Sequence, residues 1–280
     1  MDFTANQYIK ILQALRQQDY CFLRVKDYLI ANRLPPRFVI IRHDVDLDPL
    51  VQLFFAKQEA AMGIRTSYYF RHIPSILNHE IITQINCLGH EVGYHYEVIT
   101  KAKGDQEQAL EFFREEVSEF QERWNCQTIC PHGGAFNPAF NIYHLGAIIK
   151  NAYKFLFKRK GLFSQWNNFE IWRDYQYKDF NLLGDAYASI DFSDFLYLSD
   201  TGRSWKKKYK RLDHVNSPVT DQIEIHNSKH LIEIIQSGQY PKLYLLFHLE
   251  QWKDNLKDWT GWYLSQLIRR TGKKIIFKNG

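Results

Sequence analysis

The sequence has few cysteines, no long apolar run and no leader-like start. Its four cysteines, in 280 residues, show no framework spacing, so we expect reduced thiols; Cys126 and Cys130 alone are close enough to form a weak metal candidate. No apolar run approaches the length that a membrane span needs. The first residues lack a charged-then-apolar signal pattern and instead predict a capping box at Thr4. We therefore expect a cytoplasmic protein without a membrane span.

Internal repeats, low-complexity segments and a clear linker are also missing. With 45% hydrophobic and 16% aromatic residues, the chain has enough apolar surface for one large core, and we expect a single domain over residues 1–280. A net charge of +5 is the one feature that suggests nucleic-acid binding. No recognition motif accompanies that charge, so we expect no nucleic-acid partner.

Segments typical of strands and helices alternate along the chain. The predicted order is strand Phe38–Ile41, helix Pro49–Met62, strand Arg65–Phe70, helix Ile81–Leu88, strand Glu91–His95, helix Asp105–Trp124 and strand Gln127–Cys130. This alternation indicates an α/β fold with a parallel sheet and outer helices, closed or nearly closed into a (β/α) barrel. Residues 1–36 are predicted to form an N-terminal helical extension packed on the barrel.

Polar residues stand just after the predicted strands. There are five groups, one for each of five strands: Asp44 and Asp46; Arg71 and His72; His95; His132; and His248, which follows the late apolar run Leu243–Phe247. In barrels of this kind the carboxyl ends of the strands carry the chemistry. We therefore expect these side chains to meet at one end of the barrel.

The carboxylates of this set point to a metal. Because side chains alternate along a strand, Asp44 and Asp46 leave the sheet on one side and His43 on the other. Two neighbouring carboxylates repel each other, and a nearby cation is the usual way to keep both ionised. His95 can offer a neutral imidazole to the same cation. Carboxylate and imidazole ligands suit zinc or a related divalent metal.

Each motif also has a structural interpretation. An Asp-x-Asp pair often caps a helix, but Asp48 before Pro49 already fills that cap. A single histidine after a glycine is more often a satisfied buried residue than a ligand. Asp200, in the turn 199–203, either orients His248 or caps an ordinary turn. The metal interpretation rests on the convergence of several motifs.

The motifs resemble those of the polysaccharide deacetylase superfamily (carbohydrate esterase family 4, NodB-like), in a divergent branch associated with surface-polysaccharide biosynthesis. The stretch His43-Asp44-Val45-Asp46 stands where the family has Thr-Phe-Asp-Asp-Gly, and Gly89-His90-Glu91-Val92-Gly93 matches the lead into its His-Ser/Thr-x-x-His motif. The leucine-rich strand ending at His248 matches the last motif. The resemblance covers Phe38 to Trp252 and implies a distorted, incomplete (β/α) barrel that removes acetyl groups from N-acetylated sugars.

The resemblance implies a role for each matching residue. Asp44 would be the general base, Asp46 and His95 ligands of a divalent metal, zinc above all, and His248 the general acid that protonates the departing amine. The main chain of Gly133 and Gly134 would hold the oxyanion. Trp252 would stack on a sugar ring or pack in the core. Asp200 and His90 would support the site residues without touching the metal.

The chain departs from the family pattern in two places. The second histidine ligand would fall at Ile99, which cannot bind a metal, and the usual Arg-x-Pro-x-Gly motif is replaced by Pro131-His132-Gly133-Gly134. We expect His132, from the neighbouring strand end, to supply the missing ligand. The alternative is a catalytically inactive barrel that binds glycans or partner enzymes.

The expected substrate is an N-acetylated sugar. A cytoplasmic location favours a nucleotide-linked or lipid-linked sugar over a cell-wall polymer. The basic segment Lys206–Arg211 would then hold a phosphate group of the substrate, and the alternative for this segment is a solvated helix face.

Overall fold

The computed structural model describes residues 1–132, 167–205 and 215–264. The strands are β1 Cys21–Leu23, β2 Phe38–Val45, β3 Ser67–Phe70, β4 Glu91–Tyr96, β5 Thr128–Pro131, β6 Gly184–Asp185, β7 Leu196–Ser199 and β8 Lys242–Phe247. The helices are α1 Ala5–Gln17, α2 Val25–Ile30, α3 Pro49–Ala61, α4 His79–Cys87, α5 Val98–Lys101, α6 Gln106–Trp124, α7 Pro218–Asp221 and α8 Ser228–Gln236. Short 3₁₀ helices span Asn168–Arg173, Tyr177–Phe180 and Leu249–Gln251, and residues 256–264 are also helical.

The strands form one parallel sheet in the order β6-β5-β4-β3-β2-β8-β7, with β1 paired to β2 off this path. β2 lies at the centre, because β1 pairs along its residues 38–40, β3 along 42–45 and β8 along 38–43. The sheet curls into a half-barrel with helices around it. Among the described strands β6 and β7 do not pair with each other, so the barrel is open between them. The predicted (β/α) barrel is confirmed in its incomplete form.

The first 36 residues contribute a strand as well as helices. α1 packs against α8, and β1 pairs with β2. The predicted capping box is present, because Gln7 donates its main-chain N–H to the hydroxyl of Thr4 over 3.2 Å and its side chain accepts from the Thr4 amide. The sequence did not predict β1, since three residues are too few to show a strand period.

Local chemistry at the start of α3 leaves Asp44 and Asp46 without a capping role. The carboxylate of Asp48 accepts the main-chain N–H groups of Leu50 and Val51, and Pro49 occupies the first helical turn. The cap is therefore complete without a second aspartate. Asp44 lies inside β2 and Asp46 lies just beyond its end.

A fully buried polar network joins α3 to the outer face of the sheet. His43 points away from Asp44, as strand alternation predicts, and its Nε2 lies 2.9 Å from a carboxylate oxygen of Glu59. The same carboxylate accepts the hydroxyl of Tyr8, that of Thr66 over 2.8 Å and that of Tyr68 over 2.9 Å. Because these three hydroxyl groups donate to the one carboxylate of Glu59, the network connects α1, α3 and β3.

His90 belongs to this network and not to the strand ends. Its Nδ1 accepts the main-chain N–H of Thr66 over 3.1 Å, and its Nε2 lies 3.0 Å from the carbonyl oxygen of Ala56. It precedes β4, whereas His95 lies near the other end of that strand, about 17 Å away along the chain direction. The role predicted for His90, support of the metal ligands, is therefore wrong: one ring nitrogen bonds Thr66, just before β3, and the other lies against Ala56 on α3.

The barrel interior requires a glycine at position 93. A Cβ atom built there would lie 2.3 Å from the ring of Tyr69, whose hydroxyl forms a 2.7 Å hydrogen bond with Thr128 across the interior. This ring crosses β4 and fills the space beneath the strand ends. No helix among residues 1–132, 167–205 and 215–264 is both long and apolar enough to cross a membrane.

Candidate metal centre

Three predicted ligands meet at the carboxyl edge of the sheet. Asp46 follows β2, His95 lies on β4, and His132 follows β5. The Nε2 atoms of His95 and His132 each lie 3.6 Å from the same oxygen, Oδ1 of Asp46. The two imidazole rings are 5.1 Å apart and nearly perpendicular. One ligand atom from each of the three residues lies within 4.8 Å of the others, which is the spacing of side chains that can share one ion.

The donor atoms fit a divalent metal. Oδ1 of Asp46 is buried and has no hydrogen-bond partner among the described residues, although it faces two imidazole nitrogens. A buried carboxylate oxygen without a partner is costly unless a cation satisfies it. One carboxylate oxygen and two imidazole nitrogens, with room for a water or substrate, form the donor set of catalytic zinc sites.

His248 completes a ring of imidazoles around Asp46. It follows β8, the strand next to β2, and its Nε2 lies 4.0 Å from Oδ2 of Asp46. On the far side of its ring, Nδ1 lies 2.7 Å from Oδ1 of Asp200, which also accepts the main-chain N–H of His248 over 3.0 Å. The structure therefore brings Asp200 to His248, as the interpretation of an orienting aspartate requires.

Ionisation separates the roles of His95 and His248. Burial lowers the pKa of His95 to about 4, against the opposing effect of Asp44. Burial acts in the same direction on His248, but the carboxylate of Asp200 outweighs it and raises the pKa of His248 to about 10. Near neutral pH, His95 is a neutral imidazole, which suits a ligand, and His248 carries a proton to donate.

Asp44 precedes Asp46 by two residues, and its carboxylate has a different set of partners. Both of its carboxylate oxygens accept hydrogen bonds from the guanidinium of Arg42, over 2.7 and 2.6 Å, and Oδ2 is 3.7 Å from Nε2 of His95. Burial favours the protonated carboxyl, but Arg42 and then His95 outweigh it and hold the pKa of Asp44 well below its usual range. Asp44 is therefore an ionised carboxylate beside the ligands.

Trp252 lies in the core and not on an exposed sugar platform. It is 2% exposed, and its indole N–H donates to Oδ2 of Asp200 over 2.7 Å. Its ring packs against four aromatic side chains: Phe3, Tyr8, Trp205 and Phe247. The predicted stacking of Trp252 on a sugar is wrong, because the ring faces are covered, and the core alternative holds. Through the indole N–H, Trp252 fixes the carboxylate that orients His248.

The cysteines are poor ligands. Asp44, His95 and Cys130 also lie close enough to share an ion. Burial raises the pKa of the Cys130 thiol well above its usual range and that of Cys126 to about 12, so both are protonated in the metal-free chain, and a metal would have to displace the proton to bind either one. Cys126 contacts the carbonyl oxygen of Thr128 instead. Among the described residues, no group of three or more candidate ligands contains both Cys126 and Cys130.

Other sequence predictions have mixed outcomes. Ile99 is fully buried in the core, which agrees with its exclusion as a ligand. His72, also predicted at a strand end, lies 2.9 Å from Glu119 on α6 and away from Asp46. Gly133, Gly134 and the basic segment Lys206–Arg211 lie outside the described residues.

Sequence reasoning gave no role to three charged residues that support the site: Arg42, Arg71 and Glu97. Arg42 is fully buried and stacks its guanidinium 4.0 Å from the ring centre of Tyr187. Glu97 follows β4 and accepts both arms of Arg71, over 3.0 and 2.8 Å. The sequence shows that each of these residues is charged. It does not show which residue each one contacts, because those contacts depend on the pairing of strands and not on sequence spacing.

Comparisons with known proteins place the chain among distant structural neighbours only. No family model matches it, and no curated protein matches it significantly. Solved structures that match include a Streptococcus mutans CE4 esterase (12% identity, TM-score 0.40, covering 89% of this chain and 86% of that one). A second is a mutant of the peptidoglycan deacetylase PdaC from Bacillus subtilis, with 10% identity and a TM-score of 0.36, covering 88% of this chain and 99% of that one. A third is a mutant of a CE4 family pseudoenzyme with restored enzymatic activity, with 11% identity and a TM-score of 0.36, covering 86% of this chain and 68% of that one. TM-scores this low assign no function to this chain.

Proposed function

We propose that this chain is a metal-dependent amide hydrolase that removes an acetyl group from an N-acetylated sugar. The observation that carries the proposal is the convergence of His95 and His132 on one unpartnered oxygen of Asp46. The ionised Asp44 and the protonated His248 stand on either side of this set, at 3.7 Å from His95 and 4.0 Å from Asp46. A ligand set, a carboxylate base and a protonated acid at one strand edge are the parts that metal-assisted amide hydrolysis needs.

Each residue has one task in this reaction. Asp46, His95 and His132 would hold the ion, which supplies Lewis-acid polarisation of the acetamide carbonyl. Asp44 accepts the proton of the attacking water while Arg42 fixes the direction of its carboxylate. His248 delivers a proton from Nε2 to the leaving amine, because Asp200 holds its Nδ1 on the far side of the ring.

The finer substrate assignment rests on the sequence. A role in polysaccharide biosynthesis, a nucleotide-linked or lipid-linked sugar and a cytoplasmic location are part of this proposal. The biosynthetic role is supported by the sequence resemblance, and zinc is the proposed metal because of the donor set.

Acetate release tests the proposal. The purified chain is stripped of metal with a chelator, reloaded with zinc and incubated with a nucleotide-linked N-acetyl sugar and, separately, with chitin oligomers. We expect release that is lost on chelation and restored by zinc. Turnover of the neutral oligomers alone would refute the phosphate-bearing substrate but leave the hydrolase proposal standing.

Metal binding without acetate release from either substrate would contradict the hydrolase proposal. The alternative, a deacetylase-like barrel that binds glycans or partner enzymes, would then be preferred. A Glu116→Gln variant is a suitable control, because Glu116 is buried to the same degree as Glu97 but contacts Lys101 and Tyr94 on the outer side of the sheet. It should release acetate at the rate of the unchanged chain.

A further inference from the structure

Arg71 contacts the backbone of one proposed ligand, Asp46, and the carboxylate of Glu97. It follows β3, the strand between β2 and β4, and it is largely buried. Its Nε and Nη2 atoms donate to the two carboxylate oxygens of Glu97, and its Nη1 donates to the main-chain oxygen of Asp46 over 3.4 Å. One guanidinium therefore touches the backbone of one ligand and the side chain of Glu97. A bidentate guanidinium–carboxylate pair has a fixed orientation.

Glu97 faces the third ligand. Its Oε2 lies 3.5 Å from Nδ1 of His132, which is buried and has no hydrogen-bond partner among the described residues. The opposite nitrogen, Nε2, is the one directed at Asp46. A carboxylate behind Nδ1 favours the tautomer that carries its proton there, and this leaves the lone pair of Nε2 free for a metal.

The other histidines of the site are backed in the same way by groups of their own. Nδ1 of His95 lies 3.1 Å from the carbonyl oxygen of Cys130, and Nδ1 of His248 lies 2.7 Å from Asp200. Among the described groups near His132, the only acceptor facing Nδ1 is Glu97. His132 also stands where the resemblance provides no histidine.

We propose that Arg71 and Glu97 are positioning residues that set the tautomer and orientation of His132 and so make it a metal ligand. The inference rests on the proposed metal centre and adds to it the means by which a replacement ligand is held. Glu97 acts on His132, and Arg71 acts on Glu97 and on the Asp46 backbone. Outer groups of this kind change metal affinity by about 10- to 100-fold when removed.

The test measures metal affinity and tautomer, not turnover. Zinc binding to the metal-free full chain is measured by equilibrium dialysis for Glu97→Ala, Glu97→Gln and Arg71→Met, with Glu116→Gln as the matched control and His132→Ala as the ligand variant. Glu97→Ala and Arg71→Met should bind zinc about 10- to 100-fold more weakly. The loss should be smaller in Glu97→Gln, because its amide oxygen keeps an acceptor facing Nδ1. Glu116→Gln should bind as the unchanged chain does.

Nuclear magnetic resonance of isotope-labelled histidine gives a second readout, the tautomer of His132. This tautomer would not change if Glu97 had only a structural role. In the metal-free chain His132 should be the Nδ1–H tautomer, and Glu97→Ala should convert it to a mixture while the His95 signal stays unchanged. Unchanged zinc affinity and tautomer in Glu97→Ala, with affinity lost in His132→Ala, would overturn the positioning role and leave the metal centre intact. Unchanged affinity in His132→Ala would overturn the metal centre itself.

Discussion

Asp44 and Asp46 are two residues apart in the sequence, yet they have different partners in the structure. Asp44 has both oxygens engaged by Arg42, whereas Asp46 directs a buried, unpartnered oxygen at two imidazoles. A carboxylate that is already neutralised by a guanidinium has little to gain from an ion. Asp46 is therefore the better ligand, and Asp44 is the better candidate for a proton acceptor beside the ligands.

This difference predicts opposite effects of two matched substitutions. Asp46→Asn should weaken zinc binding by more than the roughly 10- to 100-fold that loss of a supporting group causes. Asp44→Asn should keep the zinc affinity within a few-fold but lower kcat by about 10²- to 10⁴-fold, as expected for loss of a general base. Elemental analysis after dialysis and acetate release under saturating zinc measure the two quantities. Equal loss of zinc in both variants would contradict the assignment of Asp44.

A second prediction at this scale concerns the proton on His248. Asp200→Asn removes the negative charge that does most to raise the pKa of His248 to about 10. In the metal-free chain the pKa should therefore fall toward its ordinary value of 6.5, because burial is then opposed only by the carboxylates of Asp46 and Asp44. Titration of the His248 resonance against pH measures this value. Glu116→Gln serves as the control. A His248 pKa that does not move in Asp200→Asn would show that Asp200 is a turn residue only.

At the scale of elements, the pairing of α3 with β2 depends on one buried carboxylate. Burial favours protonated Glu59, but His43 outweighs it, with help from His90 and Tyr8, and lowers the pKa of Glu59 to about 2 from its ordinary 4.5. A carboxyl with a depressed folded-state pKa stabilises the fold above its unfolded pKa, and this contribution is lost as the pH falls toward the folded value. For Glu59 the full contribution is about 3 kcal/mol at most.

Glu59→Gln should therefore flatten the acid dependence of stability. The free energy of unfolding, measured in urea, should fall more steeply for the unchanged chain than for Glu59→Gln between about pH 5 and about pH 2, which spans the unfolded and folded pKa values of Glu59. Glu233→Gln, an exposed position on α8, should keep the slope of the unchanged chain. Equal slopes in the unchanged chain and Glu59→Gln would contradict the ionised state of Glu59 in the fold.

At the scale of the whole molecule, the barrel and the strand ends were predictable because both follow from periodic patterns. Apolar runs predicted β2 and β8, and polar residues at the strand ends predicted the edge where Asp46, His95 and His248 meet. The predicted strand boundaries differ from the observed ones by two residues at the start of β3 and by four at the end of β2, where the polar residues Arg42, His43 and Asp44 belong to the strand. The short strands β1 and β6 carry too few residues for a pattern.

What the sequence could not predict is which side chains pair across strands. Trp252 and His90 were assigned to the site because they are close in sequence to His248 and His95. In the fold, Trp252 lies in the aromatic core and His90 lies in the outer network around Glu59. Arg71 and Glu97 meet only because β3 and β4 are neighbours in register. Such contacts depend on tertiary pairing, which no local pattern records.

The central claim is that one divalent metal is held by Asp46, His95 and His132. The most direct test is the metal content of the purified full chain after dialysis against zinc, measured by elemental analysis beside Asp46→Ala, His95→Ala and His132→Ala, with folding checked by circular dichroism. We predict one zinc per folded chain and its loss in each variant. A folded chain that retains no metal, or a folded variant that still retains it, would contradict the account.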